Sequence, residues 1–102
     1  MNTKTTTKDD LLRHRDYLFA FAQGLYELYD AERDGDYWTA IALPDGGYAD
    51  INAYCSDDGY LEHAVRTIYI TAYPVTAFGE TVTDADNTLA LIELRVGNGR
   101  NK

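Results

Sequence analysis

From Asp9 to about Glu32 the apolar residues Leu11, Leu18, Phe21, Ala22, Leu25, Leu28 and Tyr29 recur at spacings of three, four and seven. That is the period of one helix face, and it predicts one long N-terminal helix. Thr6 or Thr7 supplies a hydroxyl for its N-cap, and Asp9 and Asp10 place negative charge at the positive end of the helix dipole. Gly24 interrupts the helix at a cost of about 1 kcal/mol relative to Ala, which points to a sheet backbone crossing closely there. The helix should close in Arg33-Asp34-Gly35-Asp36, where glycine can adopt the left-handed conformation.

The period then changes to two. Tyr37–Leu43 and Tyr48–Tyr54 flank Pro44-Asp45-Gly46-Gly47, a turn that joins antiparallel strands. Val65–Tyr73 is rich in β-branched and aromatic residues and predicts a third strand, which Pro74 ends or places near a sheet edge. Leu89–Val96 predicts a fourth. Val75–Val82 has the makings of a short strand between them, and Tyr60–His63 reads equally as a helical turn or a strand lead-in. The pattern gives a single α+β domain over residues 8–96: one long N-terminal helix packed on one face of an antiparallel sheet of about four strands. Residues 1–7 and 97–102 have nothing to bury and read as flexible tails.

Alternation divides each strand between two faces. One set, Trp38, Ala40, Ala42, Ala49, Ile51, Ala53, Ile68, Ile70, Ala72, Ala90, Ile92, Leu94 and Val96, is apolar and alanine-rich, as expected beneath a helix. The other holds Tyr37, Thr39, Ile41, Leu43, Tyr48, Asp50, Asn52, Tyr54, Thr67, Tyr69, Thr71, Tyr73, Leu89, Leu91, Glu93 and Arg95. With one helix to cover the sheet, this second face is left open, as antiparallel sheets allow. Its tyrosines Tyr37, Tyr48, Tyr54, Tyr69 and Tyr73 make it a candidate aromatic binding face, since tyrosine combines contact area with a hydrogen-bonding tip. Cross-strand aromatic pairs also stabilise a sheet that binds nothing.

At 102 residues the chain has room for one core, and its 45% apolar content suits a packed globule. The absence of an 18-residue apolar run and of a secretory leader in Met1–Lys8, together with a lone cysteine, Cys55, predicts a cytoplasmic protein with no membrane association and no disulfide. The net charge of −8 understates the asymmetry, because between Asp16 and Glu93 fifteen Asp or Glu face two Arg, a formal charge of about −13. A field of that sign repels nucleic acid and anionic lipid and draws basic partners.

Catalytic and metal chemistry find little footing. Cys55 and His63 lack a third orienting residue and an oxyanion loop. His14 and His63 with Cys55 match no zinc spacing. Asp30-Ala31-Glu32-Arg33-Asp34-Gly35-Asp36 resembles the start of an EF-hand calcium loop, but Ile41 stands at the twelfth position where the family uses glutamate, so an acid-rich helix end is the plainer reading. No enzyme activity, cofactor or metal is expected.

The remaining signal is the acids Glu27, Asp30, Glu32, Asp34, Asp36, Asp45, Asp57, Asp58 and Glu62. Gathered on one surface, they would imitate a phosphate backbone and fill the nucleic-acid cleft of a basic protein. In size and charge the chain resembles the small antidefence proteins of phages and mobile elements, the anti-CRISPR and antirestriction inhibitors. That resemblance implies a DNA-mimic inhibitor whose partner is a basic nucleic-acid-binding protein. The alternative is a non-catalytic interaction module, for example a homodimer through the tyrosine face or an exposed edge strand.

Overall fold

The long helical stretch divides in two at His14. A computed structural model describes residues 4–31, 35–57 and 65–97, and in it helix α1 (Lys8–Arg13) is followed by α2 (Arg15–Ala31). Thr7 caps α1 in an extended conformation through a capping box, its side chain accepting from the Asp10 amide while the Asp10 carboxylate accepts from the Thr7 amide. His14 leaves helical geometry (φ −109°, ψ 29°) and turns the chain between the two helices. The single helix expected from periodicity is therefore a short helix and a longer one. Both contribute to one buried stripe, Leu11, Leu18, Ala22 and Leu25. Gly24 meets no neighbouring atom within 4 Å of where a Cβ would sit, so no sheet crosses there.

The sheet is a four-stranded antiparallel meander, β1 (Gly35–Ala42), β2 (Tyr48–Asp57), β3 (Val65–Pro74) and β4 (Leu89–Gly97), in the order β1-β2-β3-β4. The helices pack mainly over β3 and β4. Between the layers Leu11, Leu18, Ala22, Ile51, Ala53, Ile68, Ile70 and Ala72 are wholly buried. A fully buried aliphatic side chain of this kind stabilises by roughly 1.5–3 kcal/mol. Beyond β3 the chain makes a single bridge, Val75 to Thr81, rather than a strand, and a 3₁₀ turn (Ala85–Asn87) precedes β4.

The N-terminal segment is not loose where it is described. Thr6 is buried; its amide donates to the Val75 carbonyl at 2.9 Å, and its hydroxyl accepts from the Val75 amide at 2.8 Å. The same hydroxyl lies 2.9 Å from the Tyr48 carbonyl, and the Thr5 hydroxyl accepts from the Ala77 amide at 2.8 Å. Residues 4–6 thus strap the end of the sheet, and Gly47 makes room for them: a Cβ there would lie 2.7 Å from Thr6 Cγ2. Its φ of +81° also selects glycine.

Candidate interaction surface

Register decides which side chains share a face. Ala42 pairs with Tyr48, Thr39 with Ile51 and Tyr37 with Ala53. The turn between the strands is closed by the Leu43 amide on the Gly47 carbonyl at 3.0 Å and the Gly46 amide on the Leu43 carbonyl at 3.1 Å. Odd-numbered residues of β1 therefore share the face of Ala49, Ile51 and Ala53, beneath the helices. This reverses the expected sides of β1. Tyr37, Thr39 and Ile41 lie on the helix side and lead into buried Leu43, whereas Trp38, Ala40 and Ala42 lie on the open side. The local alanine pattern misleads here, because a five-residue turn carries the parity across unchanged.

A second reversal occurs in β4. Ile70 pairs with Ile92 but Thr71 pairs with Ala90, so Leu91 is an extra residue at a β-bulge. Before the bulge Leu89 faces the core and Ala90 the open side, opposite to strict alternation; after it, Ile92 and Leu94 are on the helix side as expected. Leu89 and Leu91 both pack against the core cluster.

The open face carries Asp36, Trp38, Tyr48, Asp50, Asn52, Tyr54, Thr67, Tyr69, Thr71, Tyr73, Glu93 and the register position of Arg95, by the three ladders. Its aromatic side chains come in two pairs. Tyr54 and Tyr69, directly opposite across β2 and β3, stack with ring centroids 6.1 Å apart and planes at 23°. Trp38 reaches over β2 to Tyr73, centroids 5.2 Å apart and tilted at 38°. Carboxylates border these pairs. Asp36 accepts from Asn52 Nδ2 at 2.5 Å, Asp50 is bonded by the Thr81 hydroxyl, and Glu93 is exposed opposite Tyr69. By register three positions of this face are acidic, Asp36, Asp50 and Glu93, and one is basic, Arg95.

Four of the five expected tyrosines, Tyr48, Tyr54, Tyr69 and Tyr73, thus share this face. Tyr37 does not, and Trp38 stands in its place.

The acids expected to form one surface are not brought together where they are described. Glu27 is exposed on α2, a helical half-turn from the buried stripe, so it points away from the sheet; Asp36 belongs to the opposite side of the molecule. Asp45 is committed internally. Its carboxylate lies 3.1 Å from His14 Nε2, 3.2 Å from Arg13 Nη1 and 3.8 Å from Lys4 Nζ, fastening the β1–β2 turn to the helical layer. The neighbouring His14 imidazole, then Lys4 and Arg13, hold Asp45 below the usual carboxylate range. Arg13, at 2.7 Å, does the same for Asp10. Glu32, Asp34, Asp58 and Glu62 lie outside the described residues, as do the side chains of Asp30 and Asp57.

No protein-family model, curated protein or solved structure matches the chain.

One exposed feature had no counterpart in the sequence reading. Thr76, Ala77, Phe78 and Gly79 form a tight turn in which the Thr76 hydroxyl accepts from the amides of Phe78 and Glu80, and the Gly79 amide donates to the Thr76 carbonyl. Gly79 has φ +87°. The turn presents Phe78 at 91% exposure. Its signal in the sequence was a glycine directly after an aromatic between two β-branched threonines. Among the described residues no helix is long and apolar enough to cross a membrane.

Proposed function

We propose that this protein is a small, acidic, non-catalytic protein-binding module that docks through the open sheet face onto a cationic protein surface. The observation that carries the reading is the composition of that face: two aromatic pairs bordered by three carboxylates, Asp36, Asp50 and Glu93, against one basic register position, Arg95 at the β4 end. An Arg or Lys side chain set on an aromatic ring gains about 0.5–1 kcal/mol when exposed and about 2 when desolvated. A carboxylate alongside adds a charge-assisted hydrogen bond, so the two groups together select guanidinium and ammonium over apolar or anionic contacts.

The class of partner that fits is a basic nucleic-acid-binding protein, whose phosphate-holding surface is an array of Arg and Lys. Occupying that surface blocks nucleic acid, which makes the protein an inhibitor of the antidefence type. The contact acids in this reading are those of the sheet. The rest of the −8 net charge supplies the long-range field that speeds encounter with such a partner.

The test is capture on the immobilised protein at low salt, followed by challenge with duplex DNA. A basic nucleic-acid-binding protein should be retained, released by DNA and by moderate salt, and lost when Asp36 and Glu93 are both changed to Lys. Retention indifferent to DNA, salt and both substitutions refutes the reading.

A further inference from the structure

The two edges of the sheet are not equivalent. β4 carries Glu93 and Arg95, contains a bulge and lies under α2. β1 has none of these protections: Gly-Asp-Tyr-Trp-Thr-Ala-Ile-Ala holds no Lys, Arg or Pro, pairs with β2 in unbroken register, and lies beyond the main helix contacts. Among the described residues it has one ladder neighbour, and alternate residues direct N–H and C=O groups outward. At one end the Tyr17 hydroxyl of α2 donates to the Ala42 carbonyl at 2.8 Å, while the outward backbone groups of Asp36, Trp38 and Ala40 have no edge partner among the described residues. Edges of this kind are ordinarily blunted by charge, proline or distortion because they are templates for a further strand. Large apolar side chains flank it on both faces, Tyr37 at 42% and Trp38 at 47% exposure.

We propose that β1 is the contact between two copies of this chain, paired antiparallel about a two-fold axis perpendicular to the sheet through Thr39. Symmetry restricts the register. Residues opposite each other in an antiparallel pair point to the same side, so the axis must pass through a residue and not between two. Centring on Thr39 is the choice that overlaps residues 36–42 in full. It sets Tyr37 against Ile41 and Trp38 against Ala40, an aromatic on a β-branched residue and a large side chain on a small one. Asp36 meets Ala42, which keeps the one charge of the strand away from its own copy. The result is a continuous eight-stranded sheet with both helical layers on one side and both open faces on the other.

At roughly 150–250 Å² for a whole aromatic side chain, the exposed parts of Tyr37 and Trp38 in two copies amount to a few hundred Å². With the strand backbones the total stays under the ~1,200 Å² of a stable interface. The dimer is consequently concentration-dependent. It shares Asp36, Trp38, Ala40 and Ala42 with the open face, but its central position, Thr39, lies on the helix side, so substitutions at Thr39 test the dimer apart from the proposed binding of basic partners.

Sedimentation velocity from about 10 μM to 1 mM should show mass rising from the 11.5 kDa of one chain towards twice that value. Thr39→Lys, at a half-buried position on the helix side of the edge strand, should hold the protein monomeric, and an unchanged circular dichroism spectrum and melting curve check that the fold is kept. Under oxidation Thr39→Cys should give a disulfide-linked dimer, since paired Cα atoms lie within disulfide reach, whereas Tyr37→Cys should not, its symmetry mate being about four residues away along the ladder. The parent chain controls for Cys55, which is buried. A monomer at every concentration, a dimer untouched by Thr39→Lys, or equal crosslinking at both positions overturns the proposal.

Discussion

Replacing Thr6 by valine should cost more stability than replacing it by serine, although serine is the smaller and more polar residue. Valine keeps the shape of threonine and removes the hydroxyl. The Val75 amide, which donates to that hydroxyl at 2.8 Å, then has no acceptor, and the Tyr48 carbonyl at 2.9 Å loses its donor. The Val75 carbonyl is spared, because the Thr6 amide still reaches it at 2.9 Å. Leaving a buried donor unsatisfied costs about 1–3 kcal/mol, so a net loss near 2 kcal/mol is expected for Thr6→Val. Serine retains both hydrogen bonds and gives up one methyl group, about 1 kcal/mol. For a domain of this size 2 kcal/mol lowers Tm by roughly 10 °C, against roughly 5 °C for serine. Thermal and urea melts of the three proteins measure the difference, and the Val75 amide should lose hydrogen-exchange protection only in the valine variant. Equal melting of the parent and Thr6→Val, or greater loss with serine, would refute the role of the hydroxyl as the clasp of the sheet end.

Gly47→Ala should be among the most damaging single changes, lowering stability by about 2–3 kcal/mol in a urea melt, since it combines a φ of +81° with a Cβ 2.7 Å from Thr6 Cγ2 and 3.1 Å from the Lys4 carbonyl. The carboxyls of Asp10 and Asp45 titrate below their ordinary range in the folded state. Their contribution is therefore complete above an unfolded pKa of about 3.9 and is lost as pH falls through the lower folded values, and Asp45→Asn should make Tm fall less steeply below pH 4. Trp38→Ala and Tyr73→Ala should each cost little alone, and their double-mutant cycle should give a coupling of about 0.5–1.5 kcal/mol, because their rings touch on an otherwise open surface.

Local periodicity carried the strands and the Leu11, Leu18, Ala22 and Leu25 stripe, since each is a statement about neighbours in sequence. What it missed depends on relations across a turn or a bend. Trp38 looked like a core residue because it alternates with Ala40 and Ala42, and only the five-residue turn Leu43–Gly47 shows that its parity matches the open face of β2. The extra residue Leu91 leaves apolar content unchanged while it switches faces, so no pattern of hydrophobicity announces it. His14 is an ordinary helix residue by composition, and its departure from the helix goes with a contact to Asp45, thirty-one positions away. The same contact removes Asp45 from the acids available to a partner. The aromatic half of the surface was thus readable to within one strand. The separation of Glu27, Asp36 and Asp45, the acids of the expected set whose side chains are described, was not readable, because like charges in sequence say nothing about which cations fold against them.

The most direct test of the open face uses its own reporters. In a heteronuclear NMR titration with an arginine-rich peptide at low salt, the largest shifts should fall on the indole N–H of Trp38, the sole tryptophan, and on the amides of Tyr54, Tyr69 and Glu93. They should shrink as salt is added and be absent with a glutamate-rich peptide. Shifts centred on α2, or spread evenly over the surface, would contradict the assignment of this face as the site of binding.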